Sequence, residues 1–255
     1  MFKFYIRVCL LLPNLTCNKP LKLAMNNSKK LPSVGVVIRT FNSDKYLIDS
    51  IESVINQNYS PLEIVVVDGG STDKTIEIIS ELFPKIKIIN QTRFGLGGAA
   101  QDGIEALDTD LIAFQDSDDI WTPGRLIQMV ESLINSKDLS AVLGAVEHFL
   151  SPELDEVENQ NLLIHKGLQP GFGLPALLIY KKIFNQIGPF EEAFPYGEYM
   201  EFIDRFRLKG LQIKQLEIST LKRRVHKTNY TQGAKLRSNM LEALHMIIAR
   251  RRNEK

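Results

Sequence analysis

The 255-residue sequence predicts an α/β fold, a mostly parallel central sheet flanked by helices. Two observations predict it: short β-branched runs alternate with segments of helical period from Val34 onward, and polar clusters follow directly on the ends of three of those runs. A third sets the scale. Hydrophobic residues make up 44% of the chain, enough for a substantial core, while Cys9 and Cys17 are too few for a disulfide scaffold or a cysteine zinc site.

The first strand is Val34-Gly35-Val36-Val37-Ile38, and Leu47, Ile51, Val54 and Ile55 mark the first helix. Glu63 to Val67 is the second strand, followed by a helix carrying Ile76, Ile79 and Leu82. Ile86 to Ile89 is the third strand, Ile104 and Leu107 belong to a third helix, and Leu111 to Phe114 is the fourth strand. Such alternation implies right-handed crossovers and a sheet covered on both faces. Pro123 suits a first helical position ahead of Leu126, Met129, Val130 and Leu133, and Ala141 to Phe149 reads as a strand. Residues 151–173 contain Pro152, Pro170, Gly171 and Gly173 and are too long for a simple connection, which suggests a substrate-facing loop. A strand over Leu174 to Tyr180, a helix over Tyr199 to Leu208 and a short strand over Leu211 to Leu216 follow. Leu236, Met240, Leu244 and Ile247 mark a C-terminal amphipathic helix.

The domain reading is an N-terminal extension over 1–30, a main domain over 31–230, and a helix over 231–255 packed on or appended to it. The run Val8-Cys9-Leu10-Leu11-Leu12 is far too short to span a bilayer and no small-residue cleavage site follows it, so a cytoplasmic chain without a transmembrane segment is expected, with Met25 as an alternative start. A formal net charge of +1 points to no nucleic-acid partner. The Arg250-Arg251-Arg252 run complements the C-terminal end of its helix, peripheral contact with anionic membrane being the alternative.

In open parallel sheets ligands bind outside the carboxyl ends of the strands, which aligns Thr40-Phe41-Asn42, Asp68-Gly69-Gly70-Ser71 and Asp116-Ser117-Asp118-Asp119 along one edge. Three acids within four residues repel unless a cation offsets them. A hard divalent ion, Mg2+ or Mn2+, does so through one or two carboxylates and completes its shell with water and phosphate oxygens. In isolation the same acids would be read as caps for the helix after Pro123.

These three clusters, in this order, resemble the motifs of family 2 glycosyltransferases: Val36 to Asn42, Glu63 to Asp73, and Phe114 to Trp121. The resemblance covers about residues 33 to 230 and implies the GT-A fold. It also implies transfer of a sugar from a nucleoside-diphosphate donor, uridine first, to a glycan, lipid or peptide acceptor, with inversion. By the same resemblance Thr40, Asn42, Asp68 and Gly70 line the nucleotide pocket, Asp116 approaches the ribose, and Asp118 holds the metal. His226, in Arg223-Arg224-Val225-His226-Lys227, resembles the histidine that many GT-A enzymes bring to the metal or diphosphate, and Arg224 joins the nucleotide-binding set.

Two departures matter. Gly69 stands where the family's second motif carries another acid, and Tyr199 stands where an aspartate commonly serves as catalytic base. A phenol with an ordinary pKa near ~10 is a poor base at neutral pH. Glu198 and Glu201 are the substitutes; three residues apart, they share a helix face, and a solvated acidic helix start is the plainer reading. The departures also leave open a domain that binds nucleotide sugar, or a partner, without turnover. Gly95-Leu96-Gly97-Gly98-Ala99-Ala100 fits a relaxed dinucleotide-binding pattern, a weaker reading because it follows the third strand and not the first.

Overall fold

The structure, a computed structural model, describes residues 30–154, 164–192, 194, 197–227, 229 and 234–253. The N-terminal extension with Cys9, Cys17 and Met25 lies outside the described residues, as do residues 155–163 of the long loop.

The strands are β1 (Val34–Thr40), β2 (Leu62–Asp68), β3 (Lys87–Asn90), β4 (Leu111–Asp116), β5 (Ile120–Trp121), β6 (Leu139–Leu150), β7 (Leu177–Tyr180) and β8 (Gln212–Val225). They form one sheet in the order β3-β2-β1-β4-β7-β6-β8-β5. From β3 to β4 every pairing is parallel; β7 lies antiparallel to both β4 and β6, β6 runs parallel to β8, and β5 closes the edge antiparallel to β8. All seven residues of β1 are buried, as expected of a central strand covered on both faces.

The helices are α1 (Leu47–Ile55), α2 (Thr75–Leu82), α3 (Gly95–Glu105), α4 (Arg125–Ile134), α5 (Lys182–Ile187), α6 (Glu198–Leu208) and α7 (Ala234–Asn253). Leu47, Ile51 and Val54, spaced four and three apart, are the buried face of α1. Asp73 starts α2, its Oδ1 accepting the Thr75 N–H at 3.0 Å. The glycine-rich run that resembled a dinucleotide-binding loop lies within α3. Within the run, a Cβ at Gly98 would fall 2.6 Å from the Arg93 backbone and one at Gly97 3.0 Å from Glu198 Cβ, so both glycines serve close packing of the helix start.

Elsewhere the structure departs from the periodicity for identifiable reasons. β8 runs well past Leu216, because Lys222, Arg223 and Arg224 pair with Glu147, His148 and Phe149 of β6; charged residues hid a strand that is held by its ladder. α4 starts at Arg125, after Gly124 at φ +75°, which leaves Pro123 ahead of the helix. Residues 174–176 form a 3-10 turn before β7, and α5 was not anticipated.

Residues Leu31–Lys255 form a single compact unit, and α7 packs against α6 within it. That contact is largely polar. Ala243 and Ile247 bury against Phe194 and Met200, whereas Leu244, expected on the apolar stripe, is 40% exposed. The side chains of Leu236 and Met240 lie outside the described residues. Arg250 reaches Glu201 at 2.8 Å and Asp204 at 3.4 Å, and Arg251 also pairs with Asp204. These two arginines therefore bind α6 acids across the helix interface, a more specific role than complementing their own helix end. Among the described residues no helix is long and apolar enough to cross a membrane.

Candidate functional site

β4 ends at Asp116, and Asp116-Ser117-Asp118-Asp119 turns the chain into β5, with the Asp119 N–H donating to the Asp116 carbonyl at 3.2 Å. Gln115, fully buried, braces the turn by donating to Ser50 Oγ at 3.0 Å and to the Asp119 carbonyl at 2.6 Å. Asp119 points inward, where its Oδ1 accepts the Arg224 N–H at 2.9 Å. Burial, then the adjacent charges of Asp118 and Asp116, raise its carboxyl well above the ordinary range, with Arg223 opposing. The turn thus presents Asp116 and Asp118 and uses Asp119 as an anchor.

Asp116 is gripped from β1. Arg39 Nη2 lies 2.5 Å from Asp116 Oδ1, and Arg39 Nη1 lies 3.3 Å from Glu198 Oε1 and 3.4 Å from the Leu96 carbonyl. Burial works against the Arg39 charge, but Asp116 and Glu198 more than offset it and hold its pKa above the usual value. Arg39 lies within the first motif, Val36 to Asn42, and carries no expected role there. A charged residue inside an otherwise apolar central strand was the available signal, because a buried cation must meet carboxylates.

This cation stands at the wall of a cavity of about 510 Å³. Asp116 and Arg39 line one side, His148 and Arg223 from the ends of β6 and β8 another, and Glu198 and Tyr199 at the start of α6 a third. Glu198 is therefore the carboxylate of α6 that faces the cavity. Glu201 does not. It is fully buried, bound by Arg205 Nε at 2.6 Å and Arg250 Nη1 at 2.8 Å, so its expected catalytic role gives way to a structural one. Tyr199 stays neutral, since burial pushes its phenol up to about 12.

Asp118 and His226 are brought together as a candidate metal pair, with His226 Nε2 3.0 Å from Asp118 Oδ2 and Asn229 Nδ2 3.1 Å from the same oxygen. Asn229 also accepts the His226 N–H at 2.5 Å, which fixes the segment that delivers the imidazole. Among the described residues no group of three or more His, Cys, Asp or Glu can enclose a metal alone. One carboxylate and one imidazole do fit a hard cation whose remaining positions come from phosphate oxygens and water.

Thr40, Asn42, Asp68 and Gly70 gather at the ends of β1 and β2, apart from the residues that line the cavity. Strand alternation separates them: Thr40 is the register partner of Asp68, Arg39 that of Asp116, and successive residues point to opposite faces. Asp68 accepts the Gly70 and Ser71 N–H groups at 3.1 and 2.9 Å and the Ser71 hydroxyl at 2.5 Å. Gly70 makes that turn at φ +92°, and Asn42 Oδ1 accepts the Thr72 N–H at 2.8 Å. Thr40 Oγ1 is buried without a hydrogen-bond partner.

Arg224 is held by several partners. Its Nη2 binds Asp49 at 3.0 Å, its Nε donates to the Asp118 carbonyl at 3.0 Å, and Tyr46 and Phe149 flank the guanidinium at 4.7 and 4.8 Å. Arg224 thus clamps the acidic turn to α1 while also lining the cavity. Arg223, the preceding residue, lines the same cavity with its side chain partly exposed.

Residues 35–191 match the family model for glycosyl transferase family 2. An uncharacterised glycosyltransferase of Nostoc is 39% identical over 142 residues, which cover 54% of this chain and 41% of that protein. Another, from Haemophilus influenzae, is 28% identical over 221 residues, covering 71% of this chain and 67% of its own. Among solved structures, S. aureus TarS 1–349 in complex with UDP-GlcNAc is similar with a TM-score of 0.62 at 17% identity, over 84% of this chain and 65% of that one. The chain spans less than half the length of the Nostoc relative.

Proposed function

The chain belongs to the family 2 glycosyltransferases, and on that premise we propose that it moves a sugar from a nucleoside-diphosphate donor, uridine first, to an acceptor hydroxyl with inversion at the anomeric carbon. One juxtaposition carries the reading: the Asp118–His226 pair at 3.0 Å and the Asp116–Arg39–Glu198 chain of charges meet at the same end of the sheet. TarS binds UDP-GlcNAc on the same fold, which supports the choice of donor.

Asp118 and His226 would hold Mg2+ or Mn2+, which offsets negative charge on the departing diphosphate when bound. Asp116, oriented by Arg39, is assigned to the ribose, and the unpartnered Thr40 hydroxyl beside Asp68 to the nucleoside. Arg223 on the cavity wall adds positive charge toward the phosphates. Glu198 takes the proton of the acceptor hydroxyl as the new glycosidic C–O bond forms and the bond to the diphosphate breaks on the opposite face. A domain that binds without turnover is the competing reading, favoured by Tyr199 at the usual position of the base.

Thermal shift with UDP-, dTDP- and GDP-sugars, with and without manganese, separates the readings when paired with turnover assays. Metal-dependent stabilisation by one nucleotide series, lost in Asp118→Ala, is expected, because a ligand that binds the folded state raises its apparent stability. Retention of configuration in the product linkage would refute the displacement, and stabilisation without transfer over a broad acceptor panel would favour the binding domain.

A further inference from the structure

Resting on the reaction proposed above, we propose that Phe172 and Tyr199 form the acceptor subsite and that the acceptor is a carbohydrate whose ring stacks on Phe172. Both residues line the cavity that Glu198 faces. Phe172 is 65% exposed, and its ring meets Tyr199 in an edge contact, 4.9 Å between centroids at 80°. An uncovered aromatic is unremarked on a loose surface loop, but this one stands on a braced backbone. Gly171 presses so closely on Gly144 that a Cβ would fall 1.9 Å from the Gly144 carbonyl oxygen. Gln169 and Val146 exchange two backbone hydrogen bonds at 2.8 and 2.9 Å, and Arg125 Nη2 donates to the Pro175 carbonyl at 2.5 Å. The chain is pinned on both sides of Phe172, which keeps its ring at the cavity wall.

A flat aromatic surface matches the C–H face of a pyranose, whose hydroxyl edge then needs polar partners around it. His148 and Gln169, which line the same cavity, supply them. The His148 Nδ1 accepts the His165 N–H at 3.2 Å, so the neutral ring carries its proton on Nε2 and acts as a donor. An aliphatic acceptor would meet these polar groups instead of a continuous apolar wall. Tyr199 gains a purpose in this arrangement: with the carboxylate supplied by Glu198 one residue earlier, its position supports the stacking ring.

Saturation-transfer NMR, irradiating aromatic protons, tests the subsite with methyl pyranosides of glucose, galactose, mannose and N-acetylglucosamine as probes and dodecyl phosphate as the lipid-like comparison. Transfer to the ring C–H protons of a pyranoside is expected in the wild type and in Phe172→Tyr, with loss of that signal in Phe172→Ala at an unchanged melting temperature. An unchanged signal in Phe172→Ala, no transfer to any of the pyranosides, or a Phe172-dependent signal from dodecyl phosphate alone overturns the proposal. The measurement needs no donor. Failure of every nucleotide to stabilise the protein therefore defeats the transferase reading separately from the result on the sugar ring.

Discussion

Arg39 and Asp116 are register partners on adjacent parallel strands, and their side chains close to 2.5 Å at the strand ends. The same guanidinium reaches Glu198 on α6, so one cation orients two acids from separate elements. A lysine offers a point charge in place of a planar fork and cannot hold both in the same geometry. Arg39→Lys is expected to lower kcat/KM by about 10²-fold, the size of effect that a misplacement near 1 Å produces, with nucleotide-dependent thermal shift largely kept. Steady-state kinetics beside thermal shift would reveal whether the loss lies in turnover or in donor binding.

In the proposed reaction Glu198 takes the part of the base, and Tyr199 stands where the family commonly has an aspartate. Glu198→Gln should reduce kcat by about 10²- to 10⁴-fold, the usual contribution of a general base, while leaving UDP stabilisation in place. Tyr199→Phe should leave the pH dependence of turnover unaltered near neutrality, because a phenol pushed up to about 12 does not ionise there. A large loss of chemistry in Tyr199→Phe with normal activity in Glu198→Gln would reverse the assignment.

Glu201 is the buried acid between α6 and α7. Its removal leaves Arg205 and Arg250 short of a carboxylate they both use. Glu201→Ala should destabilise the fold by about 3–5 kcal/mol, the range for breaking a buried ion pair, without changing turnover of the folded fraction. Denaturant melts combined with activity per folded molecule distinguish this from catalysis.

His148 gives a pH signature. Burial, with the Arg223 and His165 charges, lowers its pKa to about 4, against an ordinary value near 6.5. The unfolded chain therefore binds more protons between these values, and stability rises with pH across the window and falls as pH drops through it. His148→Gln should weaken that dependence between pH 6.5 and 4, measured as the difference in melting temperature between variant and wild type. Parallel curves would show that His148 is not the group responsible.

Much of the architecture was legible because parallel strands and their polar ends leave a local trace. The runs read as strands over Val34 to Ile38, Glu63 to Val67 and Leu111 to Phe114 are strands, and each extends a further one or two residues, to Thr40, Asp68 and Asp116. The meeting of Asp118 with His226 came from family resemblance and not from spacing, since 108 residues separate them. Side-chain direction was harder to read. Glu198 and Glu201 share a helix face by spacing, yet the first turn of α6 sits between the cavity and α7, and each acid takes a different neighbour. The anchoring of Arg224 was not legible for a related reason. With the last strand ended at Leu216, nothing indicated that Arg224 lay within a ladder, its backbone N–H tied to Asp119 and its guanidinium between two rings.

Strand direction reverses where β7 meets β4, and the two halves of the sheet share backbone pairing there only over Leu111–Ala113 and Leu178–Tyr180. The parallel half carries Arg39, Asp68 and Asp116, and the end of β8 lends His226. The other half bears the 164–175 segment, whose anchors are Val146, Gly144 and Arg125. Amino-acid changes confined to that segment alter one wall of the cavity and leave the acid-bearing strand ends as they were. On the reaction proposed above, a lineage built on this sheet could change its acceptor by rewriting a short stretch of chain while inheriting the acid-bearing strand ends intact.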